Sequence, residues 1–316
     1  MPEAAISARG LARRFGSFQA VRDFDLDVAH GEVFGLLGAN GAGKTTAIRM
    51  LCGTLEPSAG AITVAGVDML RHRRRARSRI GYVTQRFTLY ADLTVRENLQ
   101  LQAGLYGLER ERVPGRIAWA EGRLGLAQAA SERAGPLPLG YQRRLAVAAA
   151  LLHEPDVLFL DEPTSGIDPL ARQELWELVY ELAATGIGVL VTTHYMDEAL
   201  FCDRLALMDR GRIIAGGTPD ELAARPLPSP IVEVRSGDEA AGGAWLAGRP
   251  EVMEVLPRAG CHRVRLRAGI EAGAWAAEAA AAARGQGLAL RIDTEPAREL
   301  EDVFVALLEQ AESQAP

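Results

Sequence analysis

Cysteine is scarce in this chain. Cys52, Cys202 and Cys261 stand far apart, odd in number and without Cys-x-x-Cys spacing. That excludes a disulfide framework and predicts reduced, mostly buried thiols of a cytosolic protein. Long hydrophobic runs are missing too. No stretch approaches the roughly 18 apolar residues that a membrane-spanning helix needs, so work at a membrane requires another chain to span it. The opening Met1-Pro2-Glu3-Ala4 has no charged segment followed by an apolar one, so no signal peptide is expected. Positive charge is not in excess: the net charge of -6 argues against a general nucleic-acid binder. What remains is ordinary globular material, 316 residues with 48% hydrophobic and 24% charged. That suffices for one large domain or two unequal ones with a buried core.

The most informative stretch is Gly38-Ala39-Asn40-Gly41-Ala42-Gly43-Lys44-Thr45, with Thr46 behind it. It satisfies the phosphate-cradling pattern Gly-x-x-x-x-Gly-Lys-Ser/Thr at each fixed position. Ahead of it, Val33-Phe34-Gly35-Leu36-Leu37 reads as a buried strand; behind it, Ala47-Ile48-Arg49-Met50-Leu51 reads as helix. Glycines on such a turn let backbone N–H groups close around phosphate oxygens at a helix N-terminus. Lys44 can reach the β- and γ-phosphates, and the Thr45 hydroxyl can ligate Mg²⁺. A nucleoside triphosphate is the expected ligand.

Around this loop the elements follow a recognisable order. Ala5 to Leu11 and Ala20 to Val28 alternate apolar with polar residues, as half-exposed antiparallel strands do. Val157-Leu158-Phe159-Leu160 and Val189-Leu190-Val191-Thr192-Thr193 are continuous buried-strand runs, and Ala171 to Ala184 between them reads as an amphipathic helix. Residues 87–152 carry long helical patterns and predict a helical subdomain inserted in an α/β core. Three prolines in Arg225-Pro226-Leu227-Pro228-Ser229-Pro230 mark a linker at 223–230. Beyond it, 231–316 has the β-α-β-β-α-β order of a small ferredoxin-like module with a closing helix.

Two carboxylates, Asp161 and Glu162, end the strand Val157–Leu160, at the edge where ligands bind in open α/β sheets. Asp161 is suited to hold Mg²⁺ beside Thr45, and Glu162 to orient or deprotonate an attacking water.

Here the text becomes specific. Leu160-Asp161-Glu162-Pro163-Thr164-Ser165-Gly166-Ile167-Asp168-Pro169 resembles the joined Walker B and D-loop of ATP-binding cassette (ABC) ATPases. Tyr82-Val83-Thr84-Gln85 resembles the family's Q-loop, and Phe87 to Leu99 the text that follows it. Val191-Thr192-Thr193-His194-Tyr195-Met196-Asp197-Glu198-Ala199 resembles the H-loop, and Arg14-Phe15-Gly16 the A-loop. The resemblance covers residues 4–222. It implies a P-loop fold of ABC type, a mixed sheet with an antiparallel β subdomain and an inserted helical subdomain, followed by the small α+β module. It implies ATP and Mg²⁺ as cofactors. Gly38, Asn40, Gly41, Ala42, Gly43, Lys44, Thr45 and Thr46 would hold the nucleotide. Thr45, Asp161 and Gln85 would hold the metal, and Glu162, His194 and Gln85 would carry hydrolysis. Phe15 would stack on adenine, although its position suits a core aromatic equally. His194, read without the family, is a structural histidine ending a buried strand. His30, His72, His153 and His262 keep that structural reading.

One motif departs from the family. Where its signature usually reads Leu-Ser-Gly-Gly-Gln, this chain has Leu137-Pro138-Leu139-Gly140-Tyr141, and a helix is expected from about Gln142. Pro138 offers neither hydroxyl nor N–H. Gly140 and the helix N-terminus remain for phosphate. Elsewhere, six arginines between Arg71 and Arg79 read as a solvated basic face.

The resemblance implies the ATP-hydrolysing subunit of an exporter of drugs, ions or lipids. It would sit at the cytoplasmic face of the cell membrane, held through membrane-spanning permease subunits. A second nucleotide-binding domain would pair with it head to tail, Asp168 and Gly140 completing the partner's site. A soluble ABC ATPase remodelling nucleoprotein or ribosomes is the alternative, disfavoured by the net negative charge, the single cassette and the absence of long heptad insertions.

Overall fold

A computed structural model describes residues 4–313. It divides after Pro219 into two compact units. In the first, β1 (Ala4–Phe15) and β2 (Phe18–Ala29) pair antiparallel. The buried strand β3 (Val33–Leu37) runs into α1 (Lys44–Leu51). Then follow β4 (Ala59–Val64), β5 (Val67–Asp68), α2 (Arg73–Arg77) and β6 (Ile80–Val83). Three helices come next: α3 (Val95–Leu105), α4 (Val113–Arg123) and α5 (Leu139–Leu151). The remainder is β7 (Val157–Asp161), α6 (Pro169–Ala184), β8 (Gly188–Thr193), α7 (Met196–Ala199), β9 (Arg204–Asp209) and β10 (Arg212–Gly217).

Two sheets result, β2-β1-β4-β5 and β10-β9-β3-β8-β7-β6. In the larger one β9, β3, β8, β7 and β6 are parallel, and β10 adds to its edge antiparallel. A parallel sheet is buried on both faces, which is why its strands are apolar throughout. Alternate residues of β7 show it directly. Leu158 and Leu160 join a core with Leu99, Ala120 and Leu145 of the three-helix segment, while Val157 and Phe159 join one with Ile6, Phe24 and Ile48.

Helix α3 starts at a capping box, Thr94 accepting the Glu97 N–H while the Glu97 carboxylate accepts the Thr94 N–H. Buried Asn98 then fastens the loop ahead of it, accepting the Tyr90 N–H at 2.9 Å and donating to Tyr90 O at 2.9 Å. Helix α5 begins at Leu139, three residues ahead of its expected start, because Pro138 takes the N-cap position with extended ψ (149°). Proline suits a helix start, where its missing N–H would have no partner within the helix.

The division falls at the first residue of α8 (Pro219–Ala223), and the second unit holds the rest of that helix, β11 (Ile231–Ser236), α9 (Glu239–Ala247), β12 (Val252–Arg258), β13 (Cys261–Leu266), α10 (Ala272–Arg284), β14 (Leu290–Asp293) and α11 (Leu300–Ser313). Its sheet is antiparallel in the order β12-β13-β11-β14. Val232, Val234, Val264 and Leu266 pack with Leu246 of α9 and Trp275 of α10. Arg263 is only 3% exposed and joins Glu233 of β11 (3.0 Å) to Asp302 of α11 (3.2 Å). Buried charge of this kind is tolerable only when paired on all sides.

Candidate active site

The C-terminal ends of β3, β6, β7 and β8 lie along one edge of the large sheet, and each delivers one part of the site. From β3 comes the phosphate loop. A methyl group on Gly38 would lie 2.3 Å from Met208 O, and one on Gly43 (φ +107°) 2.7 Å from Ala20 O. Both positions therefore admit glycine alone. Next to Gly43, Lys44 opens α1 with its side chain 4% exposed. Its ammonium donates to Gly38 O at 2.7 Å and Ala39 O at 3.2 Å, and lies 3.5 Å from Glu162 Oε1. Lys44 is the one lysine in the chain; every other strongly basic residue is arginine. A compact ammonium folds into this loop where a planar guanidinium would not.

Asp161, 2% exposed, ends β7. Its Oδ1 accepts the Thr192 hydroxyl at 2.8 Å and lies 3.4 Å from Thr45 Oγ1, and Oδ2 accepts from Tyr82 Oη at 3.4 Å. Burial raises its pKa above the ordinary carboxylate value; the adjacent Glu162 adds to the rise and the Thr192 bond opposes it. Burial likewise lowers the Lys44 pKa, outweighing the attraction of Glu162. Both shifts have one meaning: the pocket disfavours either charge until a counter-charge enters.

Glu162 is the point of convergence. Its N–H donates to Thr192 Oγ1 at 3.0 Å, its Oε2 accepts from Gln85 Nε2 at 2.8 Å, and His194 Nδ1 lies 3.4 Å from the same oxygen. The residue also holds φ +48°, a left-handed conformation rare outside glycine. Strain of that kind persists where surrounding contacts over-determine it, and it clusters at catalytic positions.

A cavity of about 520 Å³ opens above these groups, lined by Phe18, Asn40, Gly41, Lys44, Thr45 and Gln85 among others. Among the described residues no cluster of three or more His, Cys, Asp or Glu could hold a metal unaided. The donor set nevertheless fits Mg²⁺ bound with a nucleotide: one hydroxyl and one carboxylate side by side, with phosphate oxygens making up the rest.

The structure thus gathers Gly41, Gly43, Lys44, Thr45, Thr46, Gln85, Asp161, Glu162 and His194 at one sheet edge. Gly140 and Asp168 lie elsewhere, against each other's helices. Asp168 caps α6 by accepting the Ala171 N–H at 3.0 Å, and a methyl on Gly140 would meet Ala171 Cβ at 3.7 Å. Phe15 is not part of the cavity lining; its ring is 47% exposed and carries Arg13 at 4.7 Å. Phe18, its register partner across the hairpin, lines the cavity instead. Thr192 and Tyr82 also escaped the sequence reading. The hydroxyl two residues before His194, at the end of an otherwise apolar strand, was the signal for the first. In the arginine run, Arg73 donates to Gly53 O at 2.6 Å and Arg79 pairs with Asp156 at 3.1 Å, so part of it is internal fastening.

Fold and site together define a P-loop cassette of the ATP-binding type. The family model described as ABC transporter matches residues 21–165. The probable multidrug ABC transporter ATP-binding protein YbhF of Escherichia coli (strain K12) is 46% identical over 235 residues, 73% of this chain but 41% of that protein. The chain therefore spans about two fifths of that relative's length. The Nod factor export ATP-binding protein I of Ralstonia nicotianae is 42% identical, with 79% of this chain and 78% of the relative covered. Among solved structures, cbiO1 from Clostridium perfringens, part of the ABC transporter complex cbiONQ, aligns with TM-score 0.65 at 29% identity, covering 71% of this chain and 92% of that one. This chain belongs to the ABC transporter family, among its ATP-binding proteins. No helix of the described residues is long and apolar enough to cross a membrane.

Proposed function

We propose that this protein hydrolyses ATP to drive separate membrane-spanning subunits, for export of drugs, ions or lipids. The observation that carries the reading is the environment of Glu162, bonded to Gln85 at 2.8 Å and flanked by His194 at 3.4 Å and Lys44 at 3.5 Å. A carboxylate so held can orient a water for in-line attack on a γ-phosphate, the Glu162 oxygen taking the water's proton. Lys44 leaves its loop carbonyls and donates to the β- and γ-phosphates. His194 donates to the γ-phosphate as charge builds there. Thr45 and Asp161 would hold Mg²⁺ with Gln85 beside them; when bound, the ion supplies charge neutralisation on the phosphate oxygens. A second cassette, identical or not, would close over the nucleotide with its own Gly140 region and Asp168 counterpart. With Pro138 at the N-cap, the signature can offer backbone N–H groups of the first turn of α5 but no hydroxyl at position 138. The relatives named for multidrug and Nod factor export support the exporter reading. In this reading the second unit is a regulatory module. The test is Glu162→Gln: it should retain ATP and accumulate a nucleotide-bound dimer on gel filtration. A monomer that turns ATP over normally would overturn the mechanism.

A further inference from the structure

The first turn of α6 is fastened on two sides. On one side it meets α5: a methyl on Gly140 of α5 would stand 3.7 Å from Ala171 Cβ, and one turn further on Arg144 of α5 pairs with Glu174 of α6. The other side is held by Arg172, the residue after the capped Ala171. Arg172 Nη1 donates to Asp197 at 3.3 Å, and its guanidinium lies 5.0 Å over the Tyr195 ring. Its Nε stands 3.6 Å from Glu198 Oε1.

Glu198 is fully buried, at 0% exposure. Its Oε2 accepts the Thr193 hydroxyl at 2.6 Å, and Thr193 Oγ1 in turn accepts the Tyr195 N–H at 3.0 Å. Its Oε1 has no hydrogen-bond partner, and neither does the buried Arg172 Nε that faces it. A buried carboxylate oxygen and a buried N–H left unpaired are each expensive, and one small approach satisfies both. Between Thr193 and Tyr195 sits His194, its ring 4.1 Å from the Tyr195 ring and its Nδ1 3.4 Å from Glu162. Whatever moves Tyr195 and Glu198 therefore moves the histidine.

We propose that Arg172 is a positioning residue that ties hydrolysis at this chain's own phosphate loop to engagement of its α5–α6 face by a second cassette. The proposal rests on the cassette-dimer function above, in which Asp168 and Gly140 meet the partner's nucleotide while His194 and Glu162 act on this chain's own. The open gap between Arg172 Nε and Glu198 Oε1 is the movable part. Docking presses the first turn of α6 toward α7, the gap closes to hydrogen-bond length, and the segment from Thr193 to Glu198 sets His194 against Glu162. Because a guanidinium is planar and donates in fixed directions, it passes on a displacement that a flexible ammonium would absorb. One chain thereby links the two nucleotide sites of the dimer, each of which it half builds.

The test is a double-mutant cycle in the full-length chain, reading kcat and KM for ATP and, separately, affinity for a fluorescent ATP analogue. Arg172→Met should lower kcat about tenfold with nucleotide affinity changed less than twofold, since coupling and not the cradle is lost. Asp168→Ala should lower kcat by itself, yet cost less than a further twofold once Arg172 is methionine. Multiplying losses, or a fall in affinity matching the fall in kcat, would overturn the proposal. If Arg172→Met lowers the melting temperature, the cycle is run with Glu198→Gln, whose amide oxygen still accepts from Thr193; the same non-additivity with Asp168→Ala is required. Glu162→Gln separates the two levels. Failure to trap a nucleotide-bound dimer defeats the cassette reading, whereas trapping it with additive Arg172 and Asp168 losses defeats only this inference.

Discussion

Thr192 donates its hydroxyl proton to Asp161 Oδ1 across 2.8 Å, with both residues buried. Thr192 Oγ1 in turn accepts the Glu162 N–H at 3.0 Å. One hydroxyl therefore sets the orientation of the carboxylate suited to Mg²⁺ and the backbone of the one suited to water.

Replacing Thr192 with valine keeps the shape and removes both bonds. A buried hydrogen bond to a charged group is worth about 1.5–3 kcal/mol, so ATP turnover should fall by roughly 10- to 100-fold. The requirement for Mg²⁺ should rise along with it. Thr192→Ser should restore most of the rate. A Mg²⁺ titration of ATPase activity checks this, and an unchanged midpoint in the valine variant would contradict it.

Two aromatics sit at the β1–β2 turn, and the cavity touches only Phe18. Stacking of a base on an aromatic ring is worth about 1–3 kcal/mol. Phe18→Ala should therefore weaken ATP binding roughly 5- to 100-fold, and GTP binding by a similar factor, because a ring face does not read base edges. Phe15→Ala should cost less than Phe18→Ala. Equilibrium binding of a fluorescent nucleotide to both variants decides which ring is the platform.

Lys44 is held below its ordinary pKa by burial in the unliganded loop, and triphosphate oxygens would restore it. Between the two values, binding takes up a proton. Affinity should thus fall as pH rises toward the ordinary lysine value of about 10.4. Calorimetry in two buffers of different ionisation enthalpy should show proton uptake on binding at alkaline pH, and none at any pH would contradict the prediction.

His153 stacks flat on Tyr106 at 3.6 Å, donates from Nε2 to Ile80 O at 2.9 Å, and has its pKa pushed down to about 4, chiefly by burial. The unfolded chain gains this proton near pH 6.5 and the folded one only near pH 4. The histidine's contribution is therefore complete above about 6.5, declines as pH falls, and is gone below about 4. It amounts to roughly 2 kcal/mol once partial exposure is allowed for. His153→Gln should flatten the acid limb of denaturant midpoint against pH by about that amount.

Much of this was legible in advance, because phosphate chemistry permits few local solutions. Gly38 and Gly43 are forced by Met208 O and Ala20 O, and the buried strands announce themselves by unbroken apolar runs. The start of α5 was misplaced, since helical periodicity gives no weight to a proline acting as a cap at 138. Phe18 and Thr192 were invisible for a different reason. A turn aromatic and a strand-end threonine owe their places at the site to a neighbouring strand, Phe18 through its pairing with β1 and Thr192 through the β7–β8 register that sets Asp161 opposite it. Arg172 and Glu198, 26 positions apart, belong to the same class.

The lone lysine has a practical consequence. The ε-amine of Lys44, 4% exposed at the floor of the cradle, is the one such amine on the folded chain. Amine-reactive dyes, cross-linkers and acylating enzymes, which ordinarily decorate a protein surface at random, have no surface lysine here. Apart from the chain's α-amino group, any such label must land in the nucleotide site, and added ATP should shield it. Intact mass alone would then read occupancy, with a native residue serving as its own reporter.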